Sequence, residues 1–313
     1  MEMTVQASKS NLTLGPVLFN WQPEVWRDFY FHIADEAPVE TVYLGEVVCF
    51  KRAPLFDDCR EEVVARLKSA GKTVVRSTLA EVMSKQERQM INEVCAGPDM
   101  VEANDGSALL RLRGRPHHAG PFINVYNERT LTVVAGNGAR NVCLPPEMPA
   151  NAIRALAPEA AKLGVTLEVQ VFGRIGLALS ARCYHARAHG RSKDTCQFIC
   201  NVDPDGMTLR TMEGQPFLTV NGIQTMSHDY LNLAGALADL QDMGVARYRL
   251  SPHVCDMAAV AAIFRDALDR RIDAGEATAR LATFDLGAPF SDGFYRGKRG
   301  HSWSHAAASR RAN

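Results

Sequence analysis

Three cysteines carry the clearest chemical signal in this chain. Twelve residues separate Cys183 from Cys196, and three separate Cys196 from Cys200. The residues from His185 to Thr195 are almost all polar or small and carry no helical or strand periodicity. Cysteines that only fill a core sit on apolar periodic faces, so these three read as ligands in or beside a loop. A fourth thiolate would complete a [2Fe–2S] cluster, a [4Fe–4S] cluster or a tetrahedral zinc site.

Short β-rich runs alternate with helical patterns along the chain. Strands are expected at Leu14–Phe19, Thr41–Leu44, Thr73–Ser77, Met100–Ala103, Phe122–Val125, Asn141–Leu144, Thr166–Phe172 and Ala246–Leu250. Helices are expected over Pro23–Asp35, Asp57–Ala70, Ala80–Val94, Asn151–Leu163, Asp229–Asp242 and Cys255–Ile272, with a weak one after strand four; residues 127 to 135 suit either state. This alternation predicts an α/β fold, a (β/α)8 TIM-barrel-like domain with a cysteine-bearing insertion after strand seven. A doubly wound open sheet is the alternative. The domain is expected over residues 13–295, with the insertion at about 173–228, a flexible N-terminus at 1–12 and a basic flexible tail at 296–313 that holds Lys298, Arg299, Arg310 and Arg311.

Barrel geometry selects candidates for the fourth thiol. Functional groups gather where the strands end at their carboxyl termini. Cys49 follows strand two and so shares that face with the loop after strand seven. Cys143, at the end of strand six, is the nearest competitor but reads better as a buried strand residue. Cys59, Cys95 and Cys255 lie on helical stretches and read as packing. Lys51, Arg52, Arg182, Arg187, Arg191 and Lys193 stand close in sequence and could offset the thiolate charge. His185 and His189 are possible but unneeded ligands. Glu46 could act as an acid or base, or hold the Cys49 loop by accepting hydrogen bonds, the preferred reading. Tyr126 and Asn127, after strand five, could line the cavity or form an ordinary turn.

Apolar residues make up 46% of the sequence, enough for a large core. Lys plus Arg and Asp plus Glu number 35 each, so there is no global basic field to attract nucleic acid. No apolar run reaches the length of a transmembrane segment, and residues 1–12 lack the apolar core of a signal peptide. The expected location is cytoplasmic, where eight cysteines do not form a disulfide framework. No H-E-x-x-H or G-x-S-x-G motif is present, and Gly136–Asn141 is a degraded dinucleotide fingerprint that reads as a loop.

Five strings occur in an order that resembles the collagenase-like peptidase family: Leu14-Gly-Pro-Val, Tyr43-Leu-Gly-Glu46, Ser77-Thr-Leu-Ala80, Ser180-Ala-Arg-Cys183 and Asn221-Gly-Ile-Gln-Thr-Met-Ser227. The similarity spans about residues 13 to 295. The resemblance implies a [4Fe–4S] cluster on Cys49, Cys183, Cys196 and Cys200, with Cys49 the most diagnostic. It implies an iron–sulfur subunit of a complex that hydroxylates ubiquinone precursors without dioxygen, rather than a peptidase. The implied partners are a UbiU-like homologous subunit, forming a heterodimer, and a UbiT-like lipid carrier, with prephenate as the oxygen source. An RNA-base hydroxylase of the same family and a zinc-stabilised scaffold are the competing readings.

Overall fold

The computed structural model describes residues 10–304. Eight strands form a closed parallel barrel: β1 (Asn11–Leu14), β2 (Thr41–Leu44), β3 (Thr73–Ser77), β4 (Met100–Ala103), β5 (His117–Ala119), β6 (Ala139–Cys143), the first half of β7 (Thr166–Leu179), and, later in the chain, β11 (Arg247–Leu250). β11 pairs in parallel with both β7 and β1, which closes the ring. The barrel strands are connected by crossovers that include helices such as Asp57–Ser69, Lys85–Ala96 and Ala150–Lys162. Each turns apolar residues such as Val63, Val64 and Leu67 onto the barrel. The expected (β/α)8 architecture is therefore the observed one, and the open sheet is not.

Beyond its barrel half, β7 continues outward and pairs antiparallel with β10 (Gln224–Asn232). β10 in turn pairs with β9 (Pro216–Asn221), and β9 with β8 (Met207–Arg210). The insertion is thus a small antiparallel sheet built on the end of a barrel strand. A short strand, β12 (Phe290–Ser291), adds to β10. Among the described residues, no helix is long and apolar enough to cross a membrane.

Several boundaries differ from expectation. The first strand is Asn11–Leu14, because its backbone pairs with Arg247–Leu250; Gly15–Trp21 runs on as a loop. This strand begins inside the segment expected to be flexible: Ser10 accepts hydrogen bonds from Gln241 and Arg265, while residues 1–9 lie outside the described residues. Strand five is His117–Ala119 and not Phe122–Val125; two histidines hid a strand whose side chains are buried. The helix expected from Asp229 is instead β10 followed by a short helix, Leu237–Asp242, because pairing with β7 outweighs the apolar periodicity. Residues 127–135 resolve as helix Glu128–Gly136. Cys255 precedes its helix, which is Met257–Leu268. The segment after Tyr295 is not loose through residue 304: Asp292 accepts hydrogen bonds from Arg296 and Ser304. Arg310 and Arg311 lie outside the described residues.

The barrel interior is polar at its centre. Arg249 donates to Glu102 at 2.6 Å and to Glu168 at 3.1 and 3.2 Å. Thr13, Tyr43 and Asn141 also donate to Glu168, Ser77 donates to Glu102, and His118 Nδ1 lies 3.0 Å from the Tyr43 hydroxyl. Burial alone would raise the Glu168 pKa, but Arg249 and Arg247 outweigh it and hold the carboxyl well below its usual range. Burial lowers His118 to about 4, so it is neutral at pH 7.

Arg249→Met strands two buried carboxylates and is expected to cost about 3–5 kcal/mol at pH 7, measured by urea unfolding. A depressed carboxyl stabilises the fold above its unfolded pKa of about 4.3 and loses that contribution as pH falls below it. The gap between wild type and Arg249→Met therefore narrows below about pH 4; a gap that widens there contradicts this account.

Candidate functional site

The site begins where β2 ends. Gly45 has φ +151°, and a Cβ there would sit 2.3 Å from the Ser77 carbonyl oxygen, so only glycine lets the chain turn against β3. The next residue, Glu46, is buried and its Oε1 accepts from the backbone N–H of Val48 at 2.8 Å and of Cys49 at 2.9 Å. Glu46 thus holds the Cys49 loop, the preferred reading of its role. Burial raises its pKa despite the nearby Arg52.

Cys49 lines one small void together with Cys183, Cys196 and Cys200. The four residues come from chain positions as far apart as the loop after β2 and the loop after β7. About 370 Å³ there is free of protein atoms, open solvent included. No three of these thiols lie mutually within 4.8 Å: among the described residues the trio that meets this condition is His185, His189 and Asp203. A zinc tetrahedron with bonds of about 2.3 Å would hold its sulfurs only about 3.8 Å apart. The spread of the thiols suits a group larger than one ion.

The surroundings supply what a cluster needs around its sulfurs. The amide of Asn20 donates to Cys200 Sγ at 3.4 Å, and Ala186 N–H donates to Cys183 Sγ at the same distance. Arg52 is 1% exposed, donates to Leu18 O and Asn221 Oδ1, and keeps a buried Nε without a protein partner. Burial opposes its charge, yet Cys200, Glu46 and Cys49 hold its pKa above the ordinary value. Gly222 (φ +62°) lets this guanidinium approach, since a Cβ would lie 2.8 Å from Nη2. Burial pushes the Cys49 thiol up to about 11 and raises Cys183 as well, so a metal must displace their protons on binding. Two consecutive non-glycine residues between the last two cysteines, Gln197 and Phe198, take left-handed φ values of 49° and 53°. Such conformations are rare outside glycine and gather at functional loops. The donor set and its surroundings fit an iron–sulfur group on Cys49, Cys183, Cys196 and Cys200.

Other expected residues separate. Lys51 reaches across to the carbonyls of Lys193 and Asp194, and Arg191 donates to Cys196 O, so these two charges anchor the cysteine loop, while Lys193 Nζ lies 3.9 Å from Glu81 and 3.8 Å from Glu87. Arg182 and Arg187 are exposed. His185 is buried, pairs with Asp203 at 2.8 Å and stacks on His189 beside the void. Cys143 is buried in β6, and Cys59 and Cys95 sit on helices, as expected. Asn127 does not line a cavity: its side chain caps helix Glu128–Gly136 by accepting from Thr130 N–H at 2.9 Å. Tyr126 lies at the rim of a second, larger cavity and donates to Glu147.

That second cavity is the barrel mouth, with about 1070 Å³ free of protein atoms, open solvent included. Arg249, Glu102 and Gln170 form its floor, and Phe122, Leu177 and Leu179 belong to its wall. The sequence offered no motif for it, since its polar residues are single positions on different strands. Two chain segments divide it from the cysteine void. Val47 lines the mouth while Cys49 lines the void, and Gln224 lines the mouth while Gly222 and Ile223 line the void.

A family model, Peptidase family U32, matches residues 24–305. The chain belongs to this family. Solved structures similar to this U32 protein include tryptophan synthase from M. tuberculosis (10% identity, 88% of this chain and 94% of that chain, TM-score 0.41). Tryptophan synthase from Pyrococcus furiosus (14%, 89% and 99%, TM-score 0.39) and N-acetylneuraminate lyase from Mycoplasma synoviae (10%, 86% and 78%, TM-score 0.42) are also similar. The fold assignment rests on the strand pairing of the U32 chain itself.

Because Asn127 is a helix cap, Asn127→Ala should lower stability by about 1 kcal/mol in thermal or urea unfolding and leave metal content unchanged. Loss of bound iron in that variant would return Asn127 to the site.

Proposed function

We propose that this chain is a UbiV-like iron–sulfur subunit of a hydroxylase that acts without dioxygen on the aromatic ring of ubiquinone precursors. It works with a UbiU-like homologous subunit and a UbiT-like lipid carrier, and prephenate is the oxygen source. The cofactor is a [4Fe–4S] cluster on Cys49, Cys183, Cys196 and Cys200. The observation that carries this reading is the meeting of Cys49, from beyond β2, with three thiols from beyond β7 around one void. Membership of U32 agrees with it. The spread of the thiols favours it over a zinc-stabilised scaffold.

Replacing a ring hydrogen by hydroxyl removes two electrons from the ring when the oxygen arrives at the oxidation level of a hydroxyl group. Those two electrons must pass to an acceptor, and a bound cluster would relay them; full thiolate ligation suits that role better than Lewis-acid catalysis. The chain's own residues tune the group. Arg52 sets positive charge beside Cys200 and Cys49, Asn20 and the Ala186 amide donate to thiolate sulfurs, and Glu46 fixes the Cys49 loop. The neutral charge balance and the ion-paired mouth give no support to RNA as substrate.

Anaerobically purified protein should carry about four iron and four sulfide per chain and a visible charge-transfer band. Cys49→Ala should lose both, whereas Cys59→Ala, on its helix away from the void, should keep them. An intact four-iron cluster in Cys49→Ala, or one stoichiometric zinc and no iron in wild type, would refute the assignment.

A further inference from the structure

The barrel mouth holds polar groups that the protein itself leaves unmet. Gln224 is 1% exposed, and neither its amide nitrogen nor its amide oxygen has a hydrogen-bond partner. Asn104 is 1% exposed, and its Oδ1 is likewise unpartnered. Leaving a buried polar group unmet costs about 1–3 kcal/mol, so such groups mark where a ligand or water completes the structure. Two glycines open the space these amides occupy. A Cβ on Gly176 would lie 2.8 Å from Gln224 Nε2, and one on Gly120 would lie 1.9 Å from Asn104 Oδ1. Gln224 and Gly176 both line the cavity, as does Asn104.

Charge then restricts the ligand. Two arginines reach the cavity, and both are already engaged. Arg249 is paired with Glu102 and Glu168, and Arg174 with Asp205 and the carbonyls of Ser227 and His228. Glu102 and Glu147 also line it. No cation is left over for a carboxylate or phosphate: the two lining arginines are already paired, and an entering anion would also meet the lining carboxylates Glu102 and Glu147. The wall is apolar, through Phe122, Leu177, Leu179 and four prolines.

We infer that the barrel mouth is a binding site for an uncharged molecule with an apolar, ring-sized body and a carbonyl, amide or hydroxyl group met by Gln224 and Asn104. The site discriminates against carboxylates and phosphates of similar shape. The thin partition of residues 47–49 and 222–224 sets this ligand next to the cysteine void. Its identification as the neutral reactant, with the carboxylated co-reactant bound elsewhere in the complex, rests on the proposed function; the binding itself does not.

Benzamide and benzoate have the same shape and differ in charge, so they test the inference by ligand-observed NMR titration of the purified full chain. Benzamide should bind saturably, and benzoate at least tenfold more weakly. Gln224→Leu should weaken benzamide at least tenfold. Leu177→Trp, at a half-exposed rim position that leaves the core intact, should block it and decides the matter if Gln224→Leu does not fold. Benzoate binding as tightly as benzamide, no saturable benzamide binding, or wild-type affinity in the folded variants would overturn the inference. Titrating Cys49→Ala separates the two claims: benzamide binding that persists after cluster loss supports the pocket, whatever the fate of the ligand assignment. A cluster-bearing wild type that ignores benzamide removes the pocket inference and leaves the proposed function standing.

Discussion

The barrel is organised around one guanidinium. Arg249 bridges Glu102 and Glu168 across the interior, and the network it anchors draws one residue from every barrel strand: Thr13, Tyr43, Ser77, Glu102, His118, Asn141, Glu168 and Arg249. A buried charge is tolerated only when it is paired and hydrogen-bonded, and here every strand contributes to that satisfaction. A one-residue slip of any strand would turn its member of the set outward. The network thereby fixes strand register, and register fixes which residues emerge at the carboxyl ends.

Two cavities follow from that placement. The loop after β2 emerges beside the outward run of β7, which brings Cys49 to the three later cysteines. Arg52 then ties the arrangement together through Leu18 and Asn221, so the loops after β1 and β2 and the insertion share one buried cation. The barrel mouth lies on the other side of the same two segments. The two cavities are thus lined by neighbouring residues of the same two segments, 47–49 and 222–224.

Much of this was legible in the residues, and the exceptions have physical causes. The barrel could be read from β–α alternation and three of the thiols from their spacing; the rule that loops at the carboxyl ends converge put Cys49 ahead of Cys143, and the family resemblance implied the full set. Glu46, three residues before Cys49, accepts from the loop amides as its position suggests. The strand at His117–Ala119 was missed because its buried side chains are polar partners of the central network and not apolar residues. β10 was read as helix because its apolar spacing ignored the partner strand that decides its conformation. Gln224 and Asn104 carry no motif at all. They matter because the fold buries them beside glycines that no local pattern distinguishes.

β7 is one uninterrupted strand of 14 residues that begins as a barrel stave and ends as the spine of the insertion. Gly173, with φ +105°, marks the passage from one part to the other. The inner end of the same strand carries Glu168, the carboxylate gripped by Arg249. The insertion and the barrel's electrostatic centre are joined by continuous backbone, so a displacement of the outer sheet is carried to the floor of the mouth without any contact there.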